Sequence, residues 1–162
     1  MAPNAQINNY LHNQYEGMDP KQLILSLYKG ALDRLKLAME GIEENNIKKR
    51  GENLSKLIAI VAELNASVDA NMQDESTQFL RGLYSAMLME LPKVTIDNDI
   101  MILVRTKAYI SKLKEIWEND VMAQEKTEKI KVVERTKQSV KQSLVAAFKT
   151  NTPETSFSSI SV

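Results

Sequence analysis

The sequence has no cysteine and a single histidine, His12, and these two shortages remove several kinds of chemistry. Without cysteine there is no disulfide and no thiol nucleophile, which favours a reducing cytoplasm as the location. No Glu-x-x-His pair occurs, so the di-iron motif of some helical bundles is absent. Neither a glycine-rich phosphate loop nor a Gly-x-Ser-x-Gly motif is present. We therefore predict no catalytic residue, no metal site, no cofactor and no enzyme activity.

Glycine and proline are also scarce, at five and four residues, and alternating Val/Ile/Thr patterns are rare. This composition predicts a nearly all-helical chain. No apolar run approaches the roughly 18 residues that a membrane-spanning helix needs. The first residues lack the basic flank and apolar core of a secretion signal. We expect no stable membrane insertion.

The formal net charge is zero, but the charges are unevenly spread along the chain. Residues 1–125 carry 14 basic and 18 acidic side chains, whereas residues 126–149 carry 7 basic and 2 acidic ones. The balance as a whole argues against nucleic-acid binding. The shift near Glu125 predicts a boundary between a main domain and a basic C-terminal segment.

A helix start is clearest at Asp19-Pro20, because aspartate caps free N–H groups and proline fits the first helical position. Apolar residues then recur at spacings of four, namely Leu23, Leu27, Ala31 and Leu35. The pattern predicts a first helix from Asp19 to Glu44. The residues before it read as a polar arm that contains two tyrosines.

Similar patterns predict three further long helices joined by short links. Pro92 should stop the third, and the fourth should run to about Glu125. The predicted fold class is all-α, an antiparallel up-down four-helix bundle with an N-terminal arm and room for an extra C-terminal helix. The domains would be an arm at 1–18, the bundle at 19–125, a basic amphipathic helix at 126–149 and a disordered tail at 150–162.

The second helix is apolar on almost every side over residues 57–62. A helix of a small bundle needs only one apolar face, so the surplus must be covered. One explanation is a central position in the bundle. The other is a groove that receives an apolar helix of a partner.

A set of short motifs runs along residues 8–122. In chain order they are Tyr10-x-x-Asn13, Asp19-Pro20-x-x-Leu23-Ile24-x-x-Leu27-Tyr28-x-Gly30-Ala31, Ile60-x-x-x-Leu64-x-x-Ser67-Val68-Asp69, Leu80-x-x-Leu83-Tyr84 and Trp117. Together they resemble the flagellar secretion chaperone family (FliS), which binds flagellin before export. The tail beyond about Glu125 is longer than this resemblance leads us to expect.

The resemblance implies a cytoplasmic chaperone that binds the C-terminal segment of flagellin, prevents premature polymerisation and delivers it to the flagellar type III export gate. It assigns Tyr10 and Asn13 to a cap over a binding groove lined by the second and third helices. The groove residues that it implies are Leu57, Ile58, Ile60, Val61, Leu64, Val68, Leu80, Leu83, Tyr84 and Met87.

Two other functions stay open from the residues alone. The surface of the second and third helices could pair with a second copy or another bundle, as a helical adaptor or homo-oligomeric structural protein. Alternatively, the basic segment from Lys126 to Lys149 could bind nucleic acid or an anionic membrane, with a steep dependence on salt.

Overall fold

A computed structural model describes residues 16–68, 71 and 73–149, and within these ranges the chain is helical with no strand. The elements are α1 (Pro20–Glu43), α2 (Ile47–Ser67), α3 (Glu75–Glu90), a 3₁₀ turn (Leu91–Lys93), a short α4 (Val94–Asp97), α5 (Ile100–Ile116), a π-helical segment (Trp117–Met122) and α6 (Ala123–Lys149).

Helices α1, α2, α3 and α5 form a four-helix bundle, which confirms the predicted fold class. Helix α1 packs along both α2 and α5, and α2 also packs on α3. The centre of the core includes Leu27, Leu35, Leu57, Leu103 and Ile110, all fully buried. The chain divides into two compact units between Val121 and Met122, one with the bundle and the other with α6.

The first helix begins and ends where the sequence predicts, because both ends are set by local chemistry. The Asp19 carboxylate accepts hydrogen bonds from the backbone N–H groups of Lys21 and Gln22, at 3.1 and 3.4 Å. At the other end Asn45 adopts φ 53°, and the Asn46 N–H donates to the Gly41 carbonyl at 2.8 Å. This left-handed residue and its six-to-one hydrogen bond form a Schellman motif.

One predicted boundary differs from the structure, and two predicted segments lie outside the described residues. The sequence predicts a fourth helix that runs to about Glu125, but its α-helical part ends at Ile116 and a π-helical segment follows. Periodicity of apolar residues does not distinguish the two helix types, since π segments keep the chain helical. Most of the predicted arm and all of the predicted tail lie outside the described residues, and the division of the chain into domains stays a proposal.

Helices α1 and α2 approach each other closely at Gly41, which is buried. A Cβ atom at this position would lie 2.5 Å from the backbone nitrogen of Arg50 and 2.8 Å from its Cα. Both are main-chain atoms that cannot rotate away, so a side chain at this position would force the two helices apart. Lys49 reinforces the same corner, since its ammonium donates to Glu40 of α1 and to Glu44, the residue that follows α1, at 2.9 and 3.1 Å.

Arg50 links this corner to the connection between α3 and α5. Its side chain is buried and donates from Nη1 to the Asn98 side-chain oxygen and from Nη2 to the Thr95 carbonyl, the latter at 3.4 Å. Asn98 ends α4 in the left-handed conformation, at φ 51°. One α2 side chain therefore holds the connection between α3 and α5.

We predict that Gly41→Ala destabilises the protein by about 1–3 kcal/mol, because the new methyl group overpacks a backbone contact. Gly82→Ala is the matched control, since Gly82 also lies within a helix but a methyl group there would meet nothing within 4 Å. The control should stabilise the protein by about 0.4–1 kcal/mol. Urea unfolding of the three proteins measures both effects. Equal behaviour of the two variants would contradict the close approach.

Candidate functional site

The residues assigned to a binding groove fall into three groups in the structure. Tyr10 and Asn13 lie outside the described residues. Six are buried in the core, namely Leu57, Ile60, Val61 and Leu64 of α2 and Tyr84 and Met87 of α3. The remaining four, Ile58, Val68, Leu80 and Leu83, are partly buried and pack against that core. Direct contact of any of them with a partner stays a prediction.

The apolar surplus of residues 57–62 is partly explained by this placement. Leu57, Ile60 and Val61 are buried, Ile58 is half-buried, and Ala62 is exposed. Helix α2 packs against both α1 and α3, so it uses more than one apolar face inside the bundle. The explanation by a central position therefore accounts for most of the surplus, and little of it is left uncovered.

An open groove lies elsewhere, between α3 and α5. Its volume is about 360 Å³, and its lining is mainly apolar. The α3 side consists of Leu83, Ala86, Met87 and Glu90, and the α5 side of Ile102, Arg105, Thr106 and Tyr109. Of the residues assigned from the sequence, the groove brings together Leu83 and Met87.

Charge is confined to one end of this groove. Glu90 of α3 faces Arg105 of α5 at 3.9 Å, and Glu90 also accepts from Lys93 at 2.5 Å. These side chains are about half exposed, so the pairs contribute little stability and serve mainly to mark one end of the groove as polar.

The apolar surface continues toward the other end. Phe79, four residues before Leu83, is 65% exposed, and Tyr109 is 48% exposed. Ile116, seven residues after Tyr109, is also exposed. Residues four or seven apart share one face of a helix, so Phe79 extends the α3 wall and Ile116 extends the α5 wall. The exposed row is longer than the groove itself.

The α5 side of the groove is missing from the residues assigned by sequence. The sequence does indicate this side, since Ile102, Tyr109 and Ile116 form a second apolar row on α5, beside the row that includes Leu103 and Ile110. A helix with two apolar rows has one more than a single packing face requires. The spacing alone does not indicate which neighbouring helix leaves this second row uncovered.

Beneath the groove wall, two tyrosines join α1 to α3. The Tyr28 and Tyr84 hydroxyl oxygens are 2.7 Å apart in the buried core, so one donates to the other. The Tyr28 ring also meets the Trp117 ring edge to face, with centroids 6.4 Å apart. Trp117 Nε1 donates to the Lys21 carbonyl at 3.0 Å. The cluster connects the start of α1 to α3 and to the π-helical segment that follows α5.

Burial raises the pKa of both tyrosines above the usual value. For Tyr84, the charge repulsion and the hydrogen bond with the neighbouring Tyr28 add to the increase in pKa. For Tyr28, the hydrogen bond with Tyr84 lowers the pKa and offsets part of the effect of burial. Both hydroxyls are therefore neutral in the native state near pH 7.

We predict that Tyr28→Phe and Tyr84→Phe each destabilise the protein by about 1–3 kcal/mol, since each leaves one buried hydroxyl without its partner. The double variant should be less destabilised than the sum of the two, by a coupling of about 0.5–3 kcal/mol. Urea unfolding gives the four free energies of this cycle. Tyr109→Phe, which changes an exposed hydroxyl, should stay within about 0.5 kcal/mol of the wild type. Additive single effects would contradict the hydrogen bond.

The same pair predicts a pH dependence at high pH. Because folding raises the pKa of both tyrosines, the unfolded chain loses these phenolic protons first, near pH 10. The contribution of the tyrosine pair to the free energy of unfolding has its full value below pH 10, and it decreases as the pH rises further. Unfolding measured between neutral pH and pH 11 should therefore show a steeper decline for the wild type than for the Tyr28→Phe/Tyr84→Phe variant. Parallel curves would contradict the raised pKa values.

Among the described residues, no cluster of three or more His, Cys, Asp or Glu side chains is arranged to hold a metal ion. In the same part of the chain, no helix combines the length and apolar character needed to cross a bilayer.

Comparison with known proteins gives one consistent family. The family profile described as Flagellar protein FliS matches residues 2–125. The Flagellar secretion chaperone FliS of Bacillus subtilis is 28% identical over 126 residues, covering 78% of this chain and 93% of that protein. The protein of the same name from Escherichia coli is 31% identical over 104 residues, covering 64% and 76%. That of Campylobacter jejuni is 27% identical over 128 residues, covering 76% and 100%.

The matched residues include the whole four-helix bundle, and most of α6 lies beyond them. The relatives are secretion chaperones by name, which supports an export-chaperone role and not an enzymatic one. With its bundle fold and a match over most of its length, this chain belongs to the flagellar protein FliS family.

Proposed function

We propose that this protein is a cytoplasmic export chaperone that binds the C-terminal segment of flagellin, prevents its premature polymerisation and delivers it to the flagellar type III export gate. The observation that carries the proposal is the apolar groove between α3 and α5, with the exposed row that continues it. Membership of the chaperone family supports the identity of the client.

The groove suits a helix that is disordered until it binds. A client segment of this kind recognises its site by burying an apolar face with residues three and four apart. The groove is lined by the partly exposed Leu83 of α3 and Tyr109 of α5, together with the buried Met87 and Ile102 of the core. The Glu90–Arg105 pair at one end supplies polar groups that would fix the register of the client.

The energetics favour reversible binding. Ordering a disordered segment costs about 2–5 kcal/mol or more of the gross interaction energy. Burial of apolar area returns roughly 25 cal/mol per Å², so a long contact along α3 and α5 exceeds that cost without extreme affinity. A chaperone that must release its client at the export gate benefits from such a balance.

In this proposal, most of the α2 and α3 residues assigned by resemblance stabilise the bundle and do not contact the client. Leu57, Val61 and Leu64 are buried beneath the surface, where they hold the position of the helices that a client would meet. Leu83 and Met87 line the groove directly. The cap role of Tyr10 and Asn13 remains part of the proposal.

The function is tested by measuring binding of the full chain to flagellin and to flagellin that lacks its C-terminal segment. We expect binding to the first and at least about a tenfold loss for the second, which corresponds to about 1.4 kcal/mol. Equal binding to both, or binding to neither, would overturn the function. Light scattering on the client-free protein tests the alternative of a homo-oligomeric bundle, which requires a stable dimer through the same surface.

The groove is tested separately with two adjacent exposed residues of α3. Ala86→Glu places a charge inside the groove, whereas Ser85→Glu places the same charge beside it. Ala86→Glu should weaken flagellin binding at least about tenfold, because an apolar client would have to remove the added carboxylate from water. Ser85→Glu should leave it nearly unchanged. Loss of binding in neither variant, or in both equally, would place the client on another surface and leave the chaperone function itself intact.

A further inference from the structure

Helix α6 extends the chain beyond the region shared with the family. It runs from Ala123 to Lys149, a length of 27 residues, and the family match ends at residue 125. At about 1.5 Å per residue this helix is roughly 40 Å long. None of the residues that line the groove between α3 and α5 belongs to it.

One face of α6 is apolar and open. Val133, Val140 and Leu144 lie on it at spacings of seven and four, and they are 50%, 54% and 55% exposed. Ile130 and Val132 flank this stripe and are also more than half exposed. The opposite face is polar and carries Lys131, Arg135, Gln138 and Gln142. Val145, which is 48% exposed, lies beside Gln138 and Gln142 instead. The helix is therefore amphipathic, with most of its exposed apolar side chains on one side.

The charge of α6 is strongly positive. Residues 126–149 contain seven basic and two acidic side chains. Lys137 and Lys141 line the same shallow depression as Val133, Val140 and Leu144. Lysines beside an apolar stripe can extend along it and place their ammonium groups in the adjoining aqueous layer.

These features favour one occupant over the others. A second copy of α6 would bring two Lys137 side chains together near the middle of the paired stripes, with net positive charge on both helices. A protein partner usually supplies or receives large anchors such as Trp, Tyr or Arg, whereas this stripe offers short β-branched side chains and one leucine. A bilayer surface needs no shape complementarity, and anionic headgroups match the charge.

We infer that α6 binds in the plane of an anionic lipid surface, with its Val133–Val140–Leu144 stripe in the interfacial layer and its lysines at the phosphate groups. The helix lies on the bilayer and does not cross it. This inference goes beyond the proposed chaperone function and does not depend on it, since the lipid-binding residues belong to α6 and the client-binding residues to the bundle.

The test uses the full chain and two kinds of vesicle, pure phosphatidylcholine and phosphatidylcholine mixed with phosphatidylglycerol. Co-sedimentation should show binding to the mixed vesicles, little binding to the neutral ones, and a decline as sodium chloride is added. The double substitution Val140→Glu and Leu144→Glu should reduce binding at least about tenfold. Flagellin binding should be unchanged in the same variant.

Gln138→Glu with Gln142→Glu is the matched control, since it adds the same two charges at the same spacing on the opposite face. About 10 Å of separation from the lipid surface screens these charges, so binding should stay within about threefold of the wild type. A second variant, Lys137→Gln with Lys141→Gln, keeps the stripe and should lose the preference for phosphatidylglycerol. Circular dichroism establishes that each variant retains its helix.

Three outcomes would overturn the inference. The first is absence of binding to mixed vesicles, and the second is equal loss in the stripe variant and its matched control. The third is a lipid-free dimer, detected by light scattering, that only the stripe variant abolishes, which would make a second copy the occupant.

Discussion

The close backbone contact between Gly41 and Arg50 is the constraint on which the rest of the bundle depends. It brings α1 and α2 together without an intervening side chain, and so sets where Arg50 enters the bundle. From there the guanidinium reaches Asn98 and Thr95 in the connection between α3 and α5. The position of that connection limits how α3 and α5 can approach each other. Gly41 of α1 is thus linked through Arg50 to the connection between the two helices that line the groove.

The features that follow from local chemistry are the ones that the sequence predicts well. Asp19 caps α1 in the expected way, and α3 ends at Glu90, directly before the 3₁₀ turn that contains Pro92, the residue expected to stop it. These outcomes depend on atoms a few residues apart, so the sequence contains them directly. The π-helical segment after Ile116 has no such local marker, and periodicity accordingly predicts an unbroken fourth helix.

The groove is harder to predict, because it depends on which two helices do not pack closely against each other. The apolar surplus of α2 suggests a binding surface there, yet Leu57, Ile60 and Val61 are buried between neighbours. The exposed row lies instead on α3 and α5 and includes Phe79 and Tyr109. Periodicity identifies an apolar face but not its neighbour, which is determined by long-range geometry. Family resemblance indicates the kind of function and cannot supply this geometry.

The aromatic cluster gives the molecule a built-in optical reporter. Trp117 is the only tryptophan in the sequence, and it contacts Tyr28 while donating to the backbone of Lys21. Its indole emission therefore senses one junction, where α1 begins and the fourth helix ends, with no contribution from any other indole. Loosening of that junction can be followed by fluorescence without a label, and separately from the helix content of the whole chain.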